Sequence, residues 1–380
     1  MANVDFSQYY YFPCIQCSEA EQIGYSRLSD EDKDAVLPIV ELSQVKYETS
    51  FEEAVTAVSG MIGKRPFILD LCKDRAPPAF VSKTNPDHTK IAKLQAAQDG
   101  YNKALTSLLS PLDGFTNWRA LAQKFPTAIP VIQFTEPETQ GKSILRQASL
   151  LSKAGFEQMA IRITQETSES IYPIIGQIIA VLESASQLLI ITDCGQGRQR
   201  IAERAEFAKT AVARVVEEIE PAQAPHLSAV CLCDSYTNPP DGTPKLYESF
   251  SWELWSQAGE KFPFLFGDYG SHYRMKKTNT YMPGDWRAQV VYPIDEKWLV
   301  YRHPNAQDAQ GWIDGSNAVL NDPNCDKKNA CWGSKLVNQA AGGDIDGVSS
   351  ARFWHGAKIN MHIHRQIRYA QEVMGGGGED

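Results

Sequence analysis

The sequence has no long apolar run and no leader-like start. None of its 380 residues belong to a stretch approaching the roughly 18 apolar residues that a transmembrane helix requires. The opening segment MANVDFSQYYYF has neither the basic region nor the apolar region of a secretory signal peptide. We therefore expect no membrane span and a cytoplasmic location.

The chain also lacks an excess of positive charge. It has 37 lysines and arginines against 46 acidic residues, a net charge of −9. An acidic surface repels phosphate backbones, so general nucleic-acid binding is disfavoured. A hydrophobic content of 43% with 22% charged residues is typical of a globular protein that can bury a full core.

Several common functional motifs are missing. There is no G-x-S-x-G nucleophile elbow. The loop DCGQG (193–197) is neither a Walker loop nor a G-x-G-x-x-G element; we interpret it as a plain turn, with phosphate binding at the next helix as the alternative. Cys14 and Cys17 form a lone C-x-x-C without a second pair at zinc-ribbon spacing, so they are a weak metal candidate.

The sequence does contain eight short apolar runs, mostly separated by helix-like segments. They are FPCIQ (12–16), LPIVEL (37–42), PFILDL (66–71), IPVIQF (129–134), MAIRIT (159–164), LLIITD (188–193), SAVCLCD (228–234) and PFLFGD (263–268). Runs this short without strict alternation are typical of parallel strands buried on both faces. The spacing predicts a TIM-barrel-like (β/α)8 fold.

In such a barrel, the functional residues lie at the C-terminal ends of the strands. Side chains alternate along a strand, so Ile39 and Glu41 share one face, as do Ile68 and Asp70. If the apolar member points into the barrel, the polar one lies at its mouth. The catalytic candidates are Glu41, Asp70, Asp193, Asp234 and Asp268.

Converging carboxylates at the mouth can bind a divalent cation such as Mg²⁺ or act as a general acid and base. Each can instead cap the next helix or pair with Arg162. Arg162 itself either clamps an anionic substrate or neutralises Glu41 or Asp193. The sequence leaves both pairs of alternatives open, as well as the identity of any metal.

Other polar residues are candidates for substrate binding. FGDYG (266–270) ends the eighth run and leads into a histidine and an arginine, and two histidines of a late helix share one face. The substrate-binding candidates are Gln133, Arg162, Tyr269, His272, Arg274, His355 and His362.

The pattern changes after residue 270. RAQVVYP (287–293) and KWLVYRH (297–303) alternate around a short turn and predict a β-hairpin, whereas residues 304–350 resemble a long loop. The predicted organisation is a barrel (1–270), an insertion or lid with the hairpin (271–350), a closing helix of the same barrel domain (351–374) and a disordered tail (375–380).

The order of several motifs resembles the beta protein family of phages, prophages and bacterial mobile elements. The motifs are YYYFPCIQ (9–16), PIVEL (38–42), PFILDL (66–71), FGDYG (266–270), GGD (342–344) and WHGAKINMHIHR (354–365). The resemblance spans the whole chain. It implies a prophage or defence context, in which at least one such protein restrains a toxic partner; it implies no particular chemistry.

Two functional hypotheses remain, and the sequence does not decide whether the protein is an enzyme. In the first, the acidic mouth and Arg162 act on a small polar ligand within an antiphage defence system. A phosphate-bearing ligand would fit with help from a divalent metal. In the second, the chain is a non-catalytic protein that binds a toxic neighbour from the same operon through the 271–350 insertion.

Overall fold

The computed structural model describes residues 4–43, 50–74, 88–196, 200–234, 242–270, 287–304 and 309–375. Two binding candidates, His272 and Arg274, and most of the predicted tail lie outside these residues. All eight predicted parallel strands are present within the described part.

The parallel strands form a barrel. They are β1 (Phe12–Gln16), β2 (Ile39–Leu42), β3 (Phe67–Leu71), β4 (Ala128–Pro130), β5 (Met159–Thr164), β6 (Leu188–Gln196), β7 (Ser228–Asp234) and, after an intervening strand β8 (Gly242–Glu248), β9 (Leu265–Asp268). Their order is β4-β3-β2-β1-β9-β7-β6-β5. A parallel bridge joins Val131 to Ala160, and the amide of Ile132 donates to the Ala160 carbonyl at 2.7 Å. These contacts close the ring between β4 and β5, so the predicted (β/α)8 fold is confirmed.

Helices cover the outside of the barrel. They are α1 (Glu19–Ser26), α2 (Asp30–Asp34), α3 (Phe51–Ile62), α4 (His88–Leu108), α5 (Thr116–Ala122), α6 (Pro137–Lys153), α7 (Ile171–Leu182), α8 (Ile201–Glu217) and α9 (Ser251–Gly259). A capping box at Ser50 and Glu53 begins α3. A second capping box at Ser18 and Glu21 begins α1. In both, the serine side chain accepts from a backbone amide that has no partner within the helix.

The two faces of the barrel strands belong to separate apolar clusters. Inward residues such as Ile39, Ile68 and Ile191 fill the barrel. Outward residues such as Val40, Leu69 and Ile190 pack against the helices. Because both faces are buried, the strands read as nearly continuous apolar runs.

The N-terminal segment closes the floor of the barrel. Phe6 and Tyr9 pack with the inward strand residues. The Val4 amide donates to Gln158 Oε1 at 2.8 Å, and Gln158 Nε2 donates to the Val4 carbonyl at 2.7 Å. This pairing fixes the segment next to the start of β5, at the end of the barrel opposite the mouth.

An antiparallel sheet is attached beside the barrel. It consists of β8, β10 (Gln289–Ile294) and β11 (Lys297–Arg302), in the order β10-β11-β8. The predicted hairpin is confirmed, with Val291 opposite Val300. The sequence did not predict strand β8, which ends at Glu248 just before the helix that begins at Ser251.

The predicted loop over residues 304–350 is wrong for two segments. Helices α10 (Ala309–Leu320) and α11 (Trp332–Ala341) occupy them. Many Asn, Asp, Gly and Ser residues hid the helical period of α10, whose buried positions are Trp312, Gly315, Ser316 and Val319. The Trp312 ring stacks on Trp354 with centroids 4.6 Å apart.

The last helix, α12 (Ala351–Gly375), joins the two parts. It provides Trp354 to the core of the attached sheet and packs its middle against α1. Two glycines allow this close crossing: a Cβ at Gly24 would lie 2.7 Å from the Gly356 carbonyl oxygen, and one at Gly356 would lie 2.7 Å from Ile23 Cγ2. The predicted closing helix is therefore confirmed.

Candidate functional site

Seven polar side chains meet inside the barrel at the C-terminal ends of its strands. This mouth cluster comprises Gln16, Glu41, Asp70, Gln133, Arg162, Asp193 and Tyr269. Each comes from the end of a different strand or from the residues just after it. Strand alternation explains the convergence, since Glu41 follows the inward Ile39 and Asp70 follows the inward Ile68.

Arg162 lies at the centre of the mouth cluster. Its Nη1 donates to Glu41 Oε1 at 2.6 Å and to Asp70 Oδ2 at 2.9 Å. Its Nε and Nη2 donate to Asp193 Oδ2 at 3.1 and 2.8 Å, and Nη2 also donates to the Tyr269 hydroxyl. All five guanidinium N–H groups are therefore used. Of the two predicted roles for Arg162, pairing with the carboxylates is the one observed.

The other oxygen atoms of these carboxylates also accept hydrogen bonds. Glu41 Oε2 accepts from Gln16 Nε2 at 3.1 Å. Asp70 Oδ1 accepts from the Leu71 amide at 2.7 Å and from Gln133 Nε2 at 2.9 Å. Asp193 Oδ1 accepts from an amide of the following turn at 3.0 Å. These hydrogen bonds hold each carboxylate in a fixed orientation.

The mouth cluster is buried and rich in acids. The side chains of Glu41, Asp70 and Asp193 are 1%, 3% and 7% exposed, and that of Arg162 is 10% exposed. Within the cluster, these three carboxylates surround one guanidinium. Burial alone lowers the pKa of Arg162, but Tyr269, Asp193 and Glu41 together raise it well above its usual value. The arginine is therefore always charged.

A fourth buried carboxyl lies next to this network. Glu21 accepts from the Gln16 amide at 2.6 Å and from the Ser18 amide at 3.2 Å. Burial raises the pKa of Glu21, its hydrogen bonds lower it, and the charge of Glu41 raises it, with a net increase. Burial therefore works against ionisation of this carboxyl.

Asp268 does not join the mouth cluster, and the expectation that it would is wrong. It shares its strand face with Phe266, which packs outward against Trp252. Asp268 Oδ2 lies 2.8 Å from His362 Nε2, and its Oδ1 accepts from the Tyr11 hydroxyl and from the Gly270 amide. Gly267 occupies the inward position of β9. Because glycine has no side chain, the sequence did not show which way Asp268 points.

Tyr11, Asp268, Trp298 and His362 form a second group, the anchor cluster, between the barrel and α12. The His362 ring stacks on Trp298 with centroids 4.6 Å apart. Burial raises the pKa of Tyr11 well above its usual value, and the Asp268 carboxylate raises it further, so the phenol remains a donor. His362 Nδ1 has no hydrogen-bond partner within the described part of the chain.

The remaining candidates lie apart from both clusters or outside the described part. His355 is exposed in the first turns of α12. Because His362 and His364 lie in the same helix, they cannot chelate a metal as an extended H-x-H would. Asp234 ends β7, but the structure does not describe its side chain.

The cysteines provide no metal site in the described part. Cys14 faces into the barrel and Cys17 faces outward, so the C-x-x-C thiols point to opposite sides. Burial raises the pKa of Cys17 to about 12. More broadly, no group of three or more His, Cys, Asp or Glu residues among the described ones is placed to hold a metal ion.

Sequence reasoning recognised Gln16 as a strand end but did not include it among the site residues. Its shared face with the inward Cys14 would have identified it. Tyr11 and Trp298 were missed because nothing local in the sequence shows which residues contact a helix that begins about 340 residues after Tyr11.

Comparison with known proteins identifies the family. The family model described as Beta protein matches residues 11–368. The chain belongs to the beta protein family. Protein beta of Enterobacteria phage P4 is 23% identical to this chain over 380 residues, which is 100% of this chain and 98% of the phage protein.

The family match includes both clusters. Its range contains every mouth residue from Gln16 to Tyr269 and extends past His362. The predicted resemblance to the beta family is thus confirmed over the barrel, the attached sheet and most of α12. Within the described residues, this family member has no helix with the length and apolarity to span a bilayer.

Proposed function

We propose that this beta family protein binds a small polar molecule at the mouth cluster and works in the cytoplasm within a phage- or mobile-element-associated antiphage system. The observation that carries the proposal is the presence of three buried carboxylates around the single guanidinium of Arg162. Family membership and the phage relative support the biological context.

The energetics of burial favour a functional mouth over a purely structural one. Removing a charged group from water costs several kcal/mol, and well-packed apolar residues at such positions often give equal or greater stability. The apolar layer of Ile39, Ile68 and Ile191 below the mouth would extend naturally to the strand ends. Charged side chains at the strand ends, in place of apolar ones, are what we expect if they bind a ligand.

The geometry supports binding or proton transfer. Each carboxylate is held by hydrogen bonds from neighbouring strands, which is the pre-organisation that a binding or catalytic site needs. Glu41 and Asp70 both bond to the same nitrogen of Arg162, so the two carboxylates are close enough to act on one ligand. The proposal therefore includes both a binding protein and an enzyme that uses a carboxylate as a base.

The charge of the mouth limits the ligand class. The sequence left room for a phosphate-bearing ligand, and the carboxylates of Glu41, Asp70 and Asp193 repel a phosphate that approaches them directly. The N–H groups of Arg162 are already used by the carboxylates, so they cannot clamp it without breaking those bonds. A phosphate would need a divalent cation such as Mg²⁺ between it and the acids.

The test is the double substitution Asp70→Asn with Asp193→Asn, compared with the wild type in a thermal-shift screen of metals, nucleotides, amines and sugars. A ligand at about 100 times its Kd stabilises the native state by about 2.7 kcal/mol. We expect the variant to remain folded, because Glu41 still pairs with Arg162 at 2.6 Å, and to lose the ligand-induced rise in Tm.

The surface provides a matched control for this charge change. Asp30 and Asp34 both pair with Arg65, at 2.9 and 2.7 Å, and are 86% and 66% exposed. Asp30→Asn with Asp34→Asn should leave ligand binding unchanged. A folded mouth variant that still binds would remove the mouth as the site and favour the alternative, a non-catalytic protein that restrains a toxic neighbour.

Two other results of the screen would also count against the proposal. A loss of roughly 3–5 kcal/mol in the mouth variant would show that the acids serve mainly as structural partners of Arg162. A wild type that binds no compound would contradict a small-molecule site. Plaquing efficiency on a host expressing the wild type or the mouth variant tests the defence role separately.

A further inference from the structure

The two outer edges of the antiparallel sheet differ in how they are protected. The order β10-β11-β8 places one outer edge on β10 and the other on β8. On β10, Pro293 has no N–H group, and Asn329 Nδ2 donates to its carbonyl at 2.9 Å. On β8, Lys245, Leu246 and Glu248 are exposed, and β11 is its one strand neighbour within the described part of the chain. Natural sheets usually cover or blunt such an edge, because its main chain can pair with another strand.

Alternate residues of β8 direct their main chain to this outer edge. The Ser249 amide donates to the Glu296 carbonyl at 2.6 Å, so the main chain of Ser249 faces β11. In an antiparallel pair, residues that face the neighbouring strand alternate with residues that face away from it. Tyr247 therefore also faces β11, and the N–H and C=O groups of Leu246 and Glu248 point to the outer edge.

The regular part of this edge is short. The register with β11 shifts by one residue between Val300 and Arg302, which places a bulge on β8 just before Lys245. At the other end of the strand, α9 begins at Ser251. The regular edge is thus limited to residues 245–248. Because the edge of β10 is protected, pairing at β8 would join two sheets and then stop.

We propose that β8 pairs with β8 of a second copy of this chain, antiparallel and about a two-fold axis at Tyr247. In this register Leu246 of each copy lies opposite Glu248 of the other, so the outward N–H and C=O groups of both residues form hydrogen bonds across the axis. A register with Leu246 opposite its own copy would place Glu248 against the bulge at Pro244, which has no N–H group. Two-fold contacts of one surface with itself are the commonest in protein oligomers.

The side chains at this edge fit a weak dimer. Leu246 is 37% exposed, and in the dimer it packs on the aliphatic stem of Glu248 from the second copy. Glu248 pairs with Lys297 of its own chain at 3.2 Å, which offsets its charge at the contact. Because the paired edge is short and buries little apolar surface, we expect a Kd of about 1–100 µM.

Two charges of opposite sign at one position test the register. Leu246→Glu places like charges opposite each other at both symmetric positions, whereas Leu246→Lys places a lysine opposite Glu248. Sedimentation velocity of the full chain from about 5 to 500 µM should show a dimer for the wild type and for Leu246→Lys, and a Kd at least about ten-fold higher for Leu246→Glu. Leu112→Glu is the matched control, because Leu112 is 73% exposed and lies outside the sheet. This control should dimerise like the wild type.

Residue-resolved hydrogen exchange gives a second readout on the wild type alone. The amides of Leu246 and Glu248 should exchange more slowly as the protein concentration rises, whereas the Tyr247 amide, which faces β11, should change little.

Three results would overturn the proposal. They are a wild type that stays monomeric over the whole concentration range, a Leu246→Glu variant that dimerises as tightly as Leu246→Lys, and edge amides whose exchange does not depend on concentration. If Leu246→Glu does not fold, the exchange of the two wild-type edge amides decides. None of these results bears on the mouth cluster, because the dimer does not involve its residues.

Discussion

The mouth cluster and the anchor cluster lie on opposite faces of the same strand end. Asp268 and Tyr269 are adjacent in sequence, yet Asp268 bonds outward to His362 and Tyr269 bonds inward to Arg162. In the anchor cluster a single carboxylate receives three donors, and aromatic rings surround it. In the mouth cluster three carboxylates pair with Arg162, and Gln133 Oε1, a buried acceptor, has no donor among the described residues.

This contrast separates two uses of buried charge. The one carboxylate of the anchor cluster is matched by donors from Tyr11, Gly270 and His362, and the cluster holds α12 against the barrel. The mouth cluster brings three carboxylates together at the strand ends, where barrels bind their ligands. Substitutions in the anchor cluster should therefore change stability alone, whereas those in the mouth should also change binding.

The largest expected effect is that of Arg162→Met. It leaves three carboxylates buried without their cation, and removing one partner of a buried ion pair costs roughly 3–5 kcal/mol. We expect a drop of that size in the free energy of unfolding, measured by urea denaturation. The surface analogue Arg65→Met should cost less than about 1 kcal/mol, because its partners are exposed. A similarly small loss for Arg162→Met would mean that water reaches the mouth carboxylates.

Asp268→Asn should have the next largest effect. The amide keeps an acceptor for Tyr11 but presents an N–H to His362 Nε2, which moves the imidazole proton to Nδ1, where the described chain has no partner. We expect a loss of about 1–3 kcal/mol in unfolding free energy. Calorimetry should show unchanged affinity for any ligand that binds at the mouth. A fall in affinity equal to that of the Asp70→Asn, Asp193→Asn variant would break the distinction between the clusters.

Tyr269→Phe should have the smallest effect. The hydroxyl lies between Arg162 Nη2 and Asp193 Oδ2, and these two atoms remain bonded to each other at 2.8 Å after it is removed. Hydrogen bonds to charged groups contribute about 1.5–3 kcal/mol, but Arg162 and Asp193 stay paired without the hydroxyl, so the loss in a urea titration should lie at the lower end of that range, about 1.5 kcal/mol. A loss as large as that of Arg162→Met would indicate that the phenol, and not the arginine, organises the mouth.

The sequence predicted the barrel and most of the mouth cluster. Periodic apolar runs identified eight strands, and alternation from Ile39 to Glu41 and from Ile68 to Asp70 gave the correct inward face. Alternation did not show the direction of the Asp268 side chain, because a short strand that contains Gly267 does not reveal which of its faces is inside. The sequence named Glu41 and Asp193 as possible partners of Arg162, but it could not show that both pair with it together with Asp70, because that depends on the width of the closed barrel.

The helices of the attached sheet show a different limit. Their buried faces combine Gly and Ser with a few apolar residues such as Trp312, Leu336 and Val337, and the polar composition concealed the helical period. The unmatched Oε1 of Gln133 could not be predicted either, because a missing partner becomes visible only after every neighbouring donor has been located.

The close crossing of α1 and α12 affects the timing of folding during synthesis. Asn360 Nδ2 donates to the Gly24 carbonyl at 3.0 Å across 336 positions of sequence. On the ribosome, α1 and β1 are synthesised early, whereas their partner helix α12 emerges only after nearly the whole chain has been made. Contacts this distant slow folding. In an incomplete chain, the apolar surface of α1 that α12 covers is therefore exposed. We expect a chaperone to bind this surface until α12 docks.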